Sequence, residues 1–432
     1  MTETFTPSEA PWREDDPFLA NPYDFYAWGR ERSPLRVDAE GSGAWSEDVR
    51  RIHERVAAQF GRGHGVWFVF RHDQCVQISR DHDHWTMEPR AGQYDLDPET
   101  NERLPKTVGL LNSDPPEHTR LRSLVAEAFT PKTVERLAPR IRAIAEELLD
   151  TAPADGRFDL VETFSHPLPV IVIAEILGVP SSDRAKFKRW SDEAIIAIET
   201  RGTGPGRYPL GGRAFPELRR YFTALIEARR AEPRDDLISG LVRAEVEGAR
   251  LTGDELIHLL ILLLVAGNET TRDLIGNTVL ALLEHPQQLE LLRADPSLAP
   301  NAIEEVLRYS APAQYMSRRA KAAAVVGEAR IEAGEEAVLW FGSANRDEAV
   351  FTEADAFDIR RANAHRHLTF GIGTHFCLGA PLARLEGAIA IEALLSRFAH
   401  IERADAEALP RMPSLQHRGV RSLPLFSRRA RR

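Results

Sequence analysis

Two cysteines occur in the chain, and the surroundings of the second would activate a sulfur atom. Cys377 lies in the run Phe370-Gly371-Ile372-Gly373-Thr374-His375-Phe376-Cys377-Leu378-Gly379, which leads into a helical pattern over Ala380–Phe398. A thiolate is stabilised by backbone N–H donors and by the positive end of a helix, and this position offers both. Gly371, Gly373 and Gly379 permit tight turns and close approach of backbone to a flat group. Phe370 would shield one side of the sulfur from water. The plain alternative is an inert buried cysteine, but the three-glycine frame favours a ligand.

Three further groups of residues have chemical potential. In Ala266-Gly267-Asn268-Glu269-Thr270-Thr271 a carboxylate and a hydroxyl interrupt an apolar stretch, at a cost unless they find partners. The small residues Ala266 and Gly267 would let something large lie against the helix. Glu269 and Thr270 are then either a locally satisfied polar pair or a proton relay. Glu305-Val306-Leu307-Arg308 sets opposite charges at i and i+3, which on most helices is surface decoration. After Pro115-Pro116, His118 and Arg122 share one face of a helix, readable as a solvated charged turn or as a cationic site.

Helices must position these groups. Their patterns cover Glu117–Phe129, Lys132–Leu149, Phe164–Leu177, a stretch opened by Pro180-Ser181-Ser182-Asp183 and reaching Glu199, Phe215–Arg230 and Leu237–Glu247. Thr252–Leu283 is the longest, and from Leu259 to Ala266 it is apolar on every side, which predicts burial all round there. Val66–Phe70 reads as a strand and Arg71–Arg80 as a helix; Ala322–Val326 and Ala337–Phe341 suggest small sheets. Helices first and small sheets late predict an α+β fold, mainly α. Arg201–Gly212, with five glycines and two prolines, is the sort of loop from which lids are made. A further helix is expected where Ser46 precedes Val49, Ile52, Val56 and Phe60.

With 55 basic and 65 acidic residues the net charge is −10, which argues against nucleic acid as the main partner. Sparse cysteine fits a reducing cytoplasm. No signal peptide or anchor is expected in the polar N-terminus, and the Leu259–Ala266 run is far short of the roughly 20 residues that span a bilayer. The expected organisation is a flexible segment over 1–20, one domain over 21–426 and a basic tail over 427–432.

The ten residues around Cys377 resemble the cysteine-ligand loop of the cytochromes P-450: the phenylalanine, two glycines, histidine, cysteine and last glycine stand at the family spacing. The similarity runs in family order over about residues 110–425. It implies a helix-rich prism with small sheets, holding haem b between the long central helix and the helix after the cysteine loop. It makes Cys377 the iron ligand and Glu269–Thr270 the acid–alcohol pair that relays protons beside Ala266 and Gly267. Glu305, Arg308 and Arg361 become a buried structural cluster bracing the loop. His118, Arg122, Arg318 and His375 become partners of the haem propionates, with Arg319 the competitor for Arg318, since adjacent residues of a strand face opposite ways. Glu348 and Ala354 replace prolines common in relatives, and residues 38–66 are longer than usual.

The implied activity is monooxygenation: one atom of O2 enters a lipophilic small molecule, with electrons from a ferredoxin and its NAD(P)H-dependent reductase docking on the cysteine side. A peroxide-driven enzyme and a non-catalytic haem sensor are the alternatives; the acid–alcohol pair speaks against both. The protein is expected to be a cytoplasmic monomer. Its substrate pocket would be lined by Val108, Leu110 and Leu111, by Leu262 and Val265, by Ala313, Gln314, Tyr315 and Met316, and by Leu415, Gln416 and His417.

Overall fold

Thr252 starts the longest helix, Gly253–Glu284, through a reciprocal cap: its hydroxyl accepts from the Glu255 N–H (3.2 Å) while the Glu255 carboxylate accepts from the Thr252 N–H (2.7 Å). In this computed structural model, which describes residues 17–37, 52, 65–88, 109–153, 155–199, 214–244, 250–412 and 414–429, the other helices pack around that element. Its burial differs from the expectation. Leu259, Leu260 and Leu264 are buried, but Leu262 and Val265 are half-buried and Ala266 is exposed; continuous burial runs instead from Asp273 to Leu282. The reason is packing. The C-terminal half shares a core with Ala299–Tyr309 and Ala380–Arg397, whereas Leu256, Leu260 and Leu264 join a separate core with Leu177, Phe187, Leu218 and Phe222.

Prolines subdivide two of the predicted helices. Lys132–Leu149 becomes Pro131–Glu135 and Ala138–Asp150, with Pro139 in the first turn of the second. Phe164–Leu177 becomes a π-turn, Val161–Ser165, followed by Pro167–Leu177. That helix stops at Gly178, whose φ of 76° lets the Gly178 and Val179 N–H groups reach the Glu175 and Ala174 carbonyls.

The strands form small sheets. Leu35–Val37 pairs antiparallel with Val66–Val69, which runs parallel to Glu336–Leu339; Met316–Ala320 and Trp85–Thr86 complete this sheet antiparallel. Asp155–Asp159, Pro424–Arg429 and Phe398–Arg403 make a three-stranded sheet. The fold is α+β with helix dominant. Among the described residues, no helix is long and apolar enough to cross a membrane.

Two boundaries need correction. Residues 17–20 are not part of a loose leader: Phe18 and Leu19 are buried with Tyr26, Phe68 and Trp340, and the Arg418 guanidinium donates to the Leu19 and Ala20 carbonyls at 2.9 and 3.1 Å. The basic tail does not begin at 427, because Ser427 is buried and Arg428 and Arg429 end a strand whose ladder they help form. Of the helix expected around Ser46 only Ile52 is described; it is helical and buried, and the rest lies outside the described residues, as does the loop over 201–212.

One buried ion cluster joins the helices to the irregular chain before the cysteine loop. Glu305 and Arg308 are both fully buried. Glu305 accepts from Arg308 Nε and Nη2 (2.8 Å each), from Arg361 Nε (3.2 Å) and from the Asp358 N–H (2.9 Å). Arg308 also donates to the carbonyls of Asn345, Ala354 and Ala356 at 3.1, 2.6 and 2.9 Å. Removing one charge leaves the other buried and unpaired, so Glu305→Gln is expected to cost about 3–5 kcal/mol of stability. Urea unfolding checks this; a loss below about 1 kcal/mol would contradict a buried pair of this kind.

Candidate functional site

Backbone geometry shapes the cysteine loop. Gly371 and Gly373 have φ of 67° and 77°, and a Cβ on Gly373 would lie 2.8 Å from the Ser79 carbonyl. The Cys377 N–H donates to the Phe370 carbonyl at 2.8 Å, folding the loop back so that the sulfur stands at the start of helix Ala380–Arg397. Burial pushes the Cys377 thiol up; hydrogen bonds from the Gly379 and Ala380 N–H groups and the charges of Arg122 and Arg384 pull the other way but do not outweigh it. A coordinating thiol is deprotonated outright by a bound metal cation.

The loop is anchored to the ion cluster by residues the sequence reading passed over. The Asn345 side chain donates to Thr369 Oγ1 (2.8 Å) and accepts from the Leu368 N–H (2.7 Å), while the Thr369 hydroxyl donates to the Leu307 carbonyl (2.6 Å). Arg384 lies over the Phe370 ring, 4.7 Å from its centroid, and pairs with Glu304. His367, 3.3 Å from the same carboxylate, helps hold Glu304 down to about 2.

On the central helix, Glu269 is buried, and its Oε1 accepts from Arg272 Nη2 at 3.1 Å. Arg272 pairs in turn with Asp273 at 2.8 Å. These partners were not anticipated, although the i, i+3 spacing of Glu269 and Arg272 is legible. Thr270 does not bond Glu269: its hydroxyl donates to the Ala266 carbonyl at 2.8 Å, the i−4 pattern common for threonine in helices. Ala266 is exposed, and a Cβ built on Gly267 meets nothing within 4 Å. The same is true at Gly379 beside the sulfur. Small residues thus leave open ground on both elements.

Four basic side chains, His118, Arg122, Arg318 and His375, converge between the helix Glu117–Ala126, the strand Met316–Ala320 and the cysteine loop. His118 is buried with Nδ1 unpartnered, and its ring centroid is 4.3 Å from that of His375. Burial, reinforced by the charges of Arg318, His118 and Arg122, pushes His375 down to about 3. Burial likewise lowers Arg318 to about 10 and depresses His118 and Arg122. Asp114 is the one carboxylate opposing these shifts at His118, Arg318 and His375. Arg318 is the buried member of its pair, whereas Arg319 Nη2 turns to the Glu88 carbonyl at 3.2 Å. A shallow cleft is lined by Arg318, His375, Ser79 and Trp85. Two arginines and two histidines, the histidines held neutral by burial and by the neighbouring charges, form a basic cluster that fits a group carrying carboxylates.

The pocket candidates separate. Leu110 is half-buried and Leu111 is 39% exposed, Ala313 bridges to His417 as an antiparallel pair, and the Gln416 carbonyl accepts from the Gln314 N–H at 2.8 Å. The Gln314 side chain is a correction: it accepts from the Tyr26 hydroxyl at 2.6 Å and donates to the Ala311 carbonyl, so it belongs to the aromatic core. Val108 lies outside the described residues.

Residues 212–419 match the family model for cytochrome P450. The 6-deoxyerythronolide B hydroxylase of Saccharopolyspora erythraea is 42% identical over 72% of this chain and 76% of its own length. The cytochrome P450 monooxygenase PikC of Streptomyces venezuelae is 38% identical over 96% of this chain and 93% of its own. The solved structure of the P450 PksS, from the bacillaene polyketide synthase of Bacillus subtilis, superposes with a TM-score of 0.82 at 37% identity, covering 96% of this chain and 99% of that one. The chain therefore belongs to the cytochrome P450 family, oxygen-incorporating oxidoreductases that bind haem b.

Proposed function

We propose that this chain ligates haem iron through Cys377 and inserts one atom of O2 into a lipophilic small molecule, by hydroxylation or epoxidation. The observation that carries the reading is the convergence of His118, Arg122, Arg318 and His375 beside the Cys377 loop. Two arginines and two histidines, with Asp114 as the carboxylate beside them, would hold the propionates of a haem ligated by Cys377, and those propionates would favour the protonated histidines. When bound, the haem activates dioxygen, and electron density from the thiolate favours O–O cleavage.

The chain's own residues orient and protonate. With its proton given to the Ala266 carbonyl, Thr270 keeps oxygen lone pairs with which to accept from a water. A water bridging the Glu269 carboxylate and the Thr270 hydroxyl would join them in the relay. Arg272 pairs with both Glu269 and Asp273, which offsets part of the cost of burying two carboxylates. Glu305, Arg308 and Arg361 brace the loop that aims Cys377. Phe370, with Arg384 over its ring, screens the sulfur.

For the substrate, half-buried Leu262, Val265 and Ala313 support an apolar ligand. The hydroxylase relative is named for a macrolactone, and PksS belongs to a polyketide synthase. A polyketide or another bulky lipid of that size is our reading. Electrons come from a ferredoxin docking on the cysteine side, near Arg384. A panel of macrolactones and steroids, scored by spectral shift, tests the substrate class; no shift with any member would refute it.

Three outcomes follow from the site. Cys377→Ala should abolish the thiolate-type band of the reduced CO complex, and a variant that keeps the band would refute the ligand assignment. Thr270→Ala should send most reducing equivalents to peroxide, lowering product per NAD(P)H about 10-fold; unchanged coupling would remove its role. The third concerns acid. His375 falls to about 3 from its ordinary 6.5, so the unfolded chain takes a proton that the folded one refuses. Stability of the haem-free protein should therefore drop as pH falls from about 6.5 towards 3. Calorimetry should find a flatter pH dependence in His375→Asn and in the haem-loaded protein, whose propionates favour the protonated ring.

A further inference from the structure

One face of the central helix grips a single turn of chain. Glu269, Asp273 and Asn277 stand at i, i+4 and i+8, and each meets the segment His417–Gly419. His417 Nδ1 lies 3.8 Å from Glu269 Oε2. A Cβ added to Gly419 would collide with the Asp273 carboxylate, so backbone lies directly on that group. Asn277 Nδ2 donates to the Arg418 carbonyl at 2.8 Å. From the other side the Arg418 N–H donates to the Pro312 carbonyl (2.8 Å), and residue 417 forms an antiparallel bridge with Ala313. His417 is thereby pinned between the substrate-lining stretch after Pro312 and the buried carboxylate Glu269.

The two oxygens of Glu269 are divided. Oε1 belongs to Arg272 on its own helix, and Oε2 faces His417 from the turn. Arg272, Asp273 and His417 are the charged or titratable groups facing it in these contacts. At 3.8 Å the His417 approach is longer than a hydrogen bond, and a shift of the turn by under about 1 Å would bring the two atoms to hydrogen-bond distance. A molecule pressing on Ala313 or Gln416 would move the same residue.

We infer that His417 is a positioning residue for Glu269, tying the carboxylate of the proton relay to the substrate-contacting turn so that proton delivery depends on how that turn is seated. The inference rests on the relay reading of Glu269 and extends it to a residue outside the helix.

The test uses the haem-loaded enzyme with a ferredoxin system and, as probe, the macrolactone or steroid giving the largest spectral shift. His417→Phe keeps the ring volume and removes the nitrogen. It should lower product per NAD(P)H about 3- to 10-fold with a matching rise in peroxide, the size of coupling expected between contacting residues. The probe's spectral Kd should stay within about 2-fold. His417→Asn, which returns a donor near the Nδ1 position, should recover most of the lost coupling. In the Glu269→Gln background His417→Phe should do nothing further, and the melting-temperature shifts of the two single variants should be non-additive in the double variant. Normal coupling in His417→Phe, equal loss in His417→Asn, additive melting shifts, or a loss that tracks weaker probe binding would each overturn the inference. If Glu269→Gln itself leaves coupling unchanged, the relay reading falls; if it uncouples and His417→Phe does not, only the present inference falls.

Discussion

A fully buried carboxylate with four donors organises the cysteine side of this protein. Glu305 is tolerable in the interior because Arg308, Arg361 and the Asp358 N–H satisfy it. Arg308, so fixed, has donors left for the carbonyls of residues 345, 354 and 356, which lie in chain without regular ladders of its own. Asn345 then carries the constraint through Thr369 and Leu368 to the start of the cysteine loop. The placement of one sulfur thus depends on charges that never reach solvent.

The opposite side follows a different logic. There the central helix is packed on one face and open on the other, and its polar residues are balanced inside the helix layer. Arg272 serves two carboxylates, and the Thr270 proton goes to the helix itself. Glu269 and Thr270 are adjacent in sequence, yet the Glu269 carboxylate accepts from Arg272 while the Thr270 hydroxyl donates to the Ala266 carbonyl. The basic cluster beside the cysteine loop uses a third device: burial depresses Arg122, Arg318 and His375, and at His375 the neighbouring arginines add to it.

Composition and periodicity disclosed much of this. The glycines around Cys377, the i, i+3 pairing of Glu305 with Arg308 and the proline-led start before His118 follow from local rules, and the structure keeps each in a helix, turn or loop of the expected kind. Where the reading failed, the cause lay in neighbours far along the chain. Leu259–Ala266 is as apolar as a buried helix, yet half of it is open, because burial depends on what packs there and not on side-chain type. Gln314 sits within an apolar stretch between pocket residues, but a tyrosine 288 positions away claims its side chain.

The sequence by itself determined the element types, the residues with chemical potential and the family, because those are written in local spacing. Only the tertiary structure decided that Arg318 and not Arg319 is buried with His375, that Asn345 and Thr369 carry the brace to Cys377, and that Glu269 divides its oxygens between Arg272 and His417. Hydrogen bonds and ion pairs between distant segments depend on angstrom-scale approach. That approach is set by how helices and turns pack together, which no local pattern records.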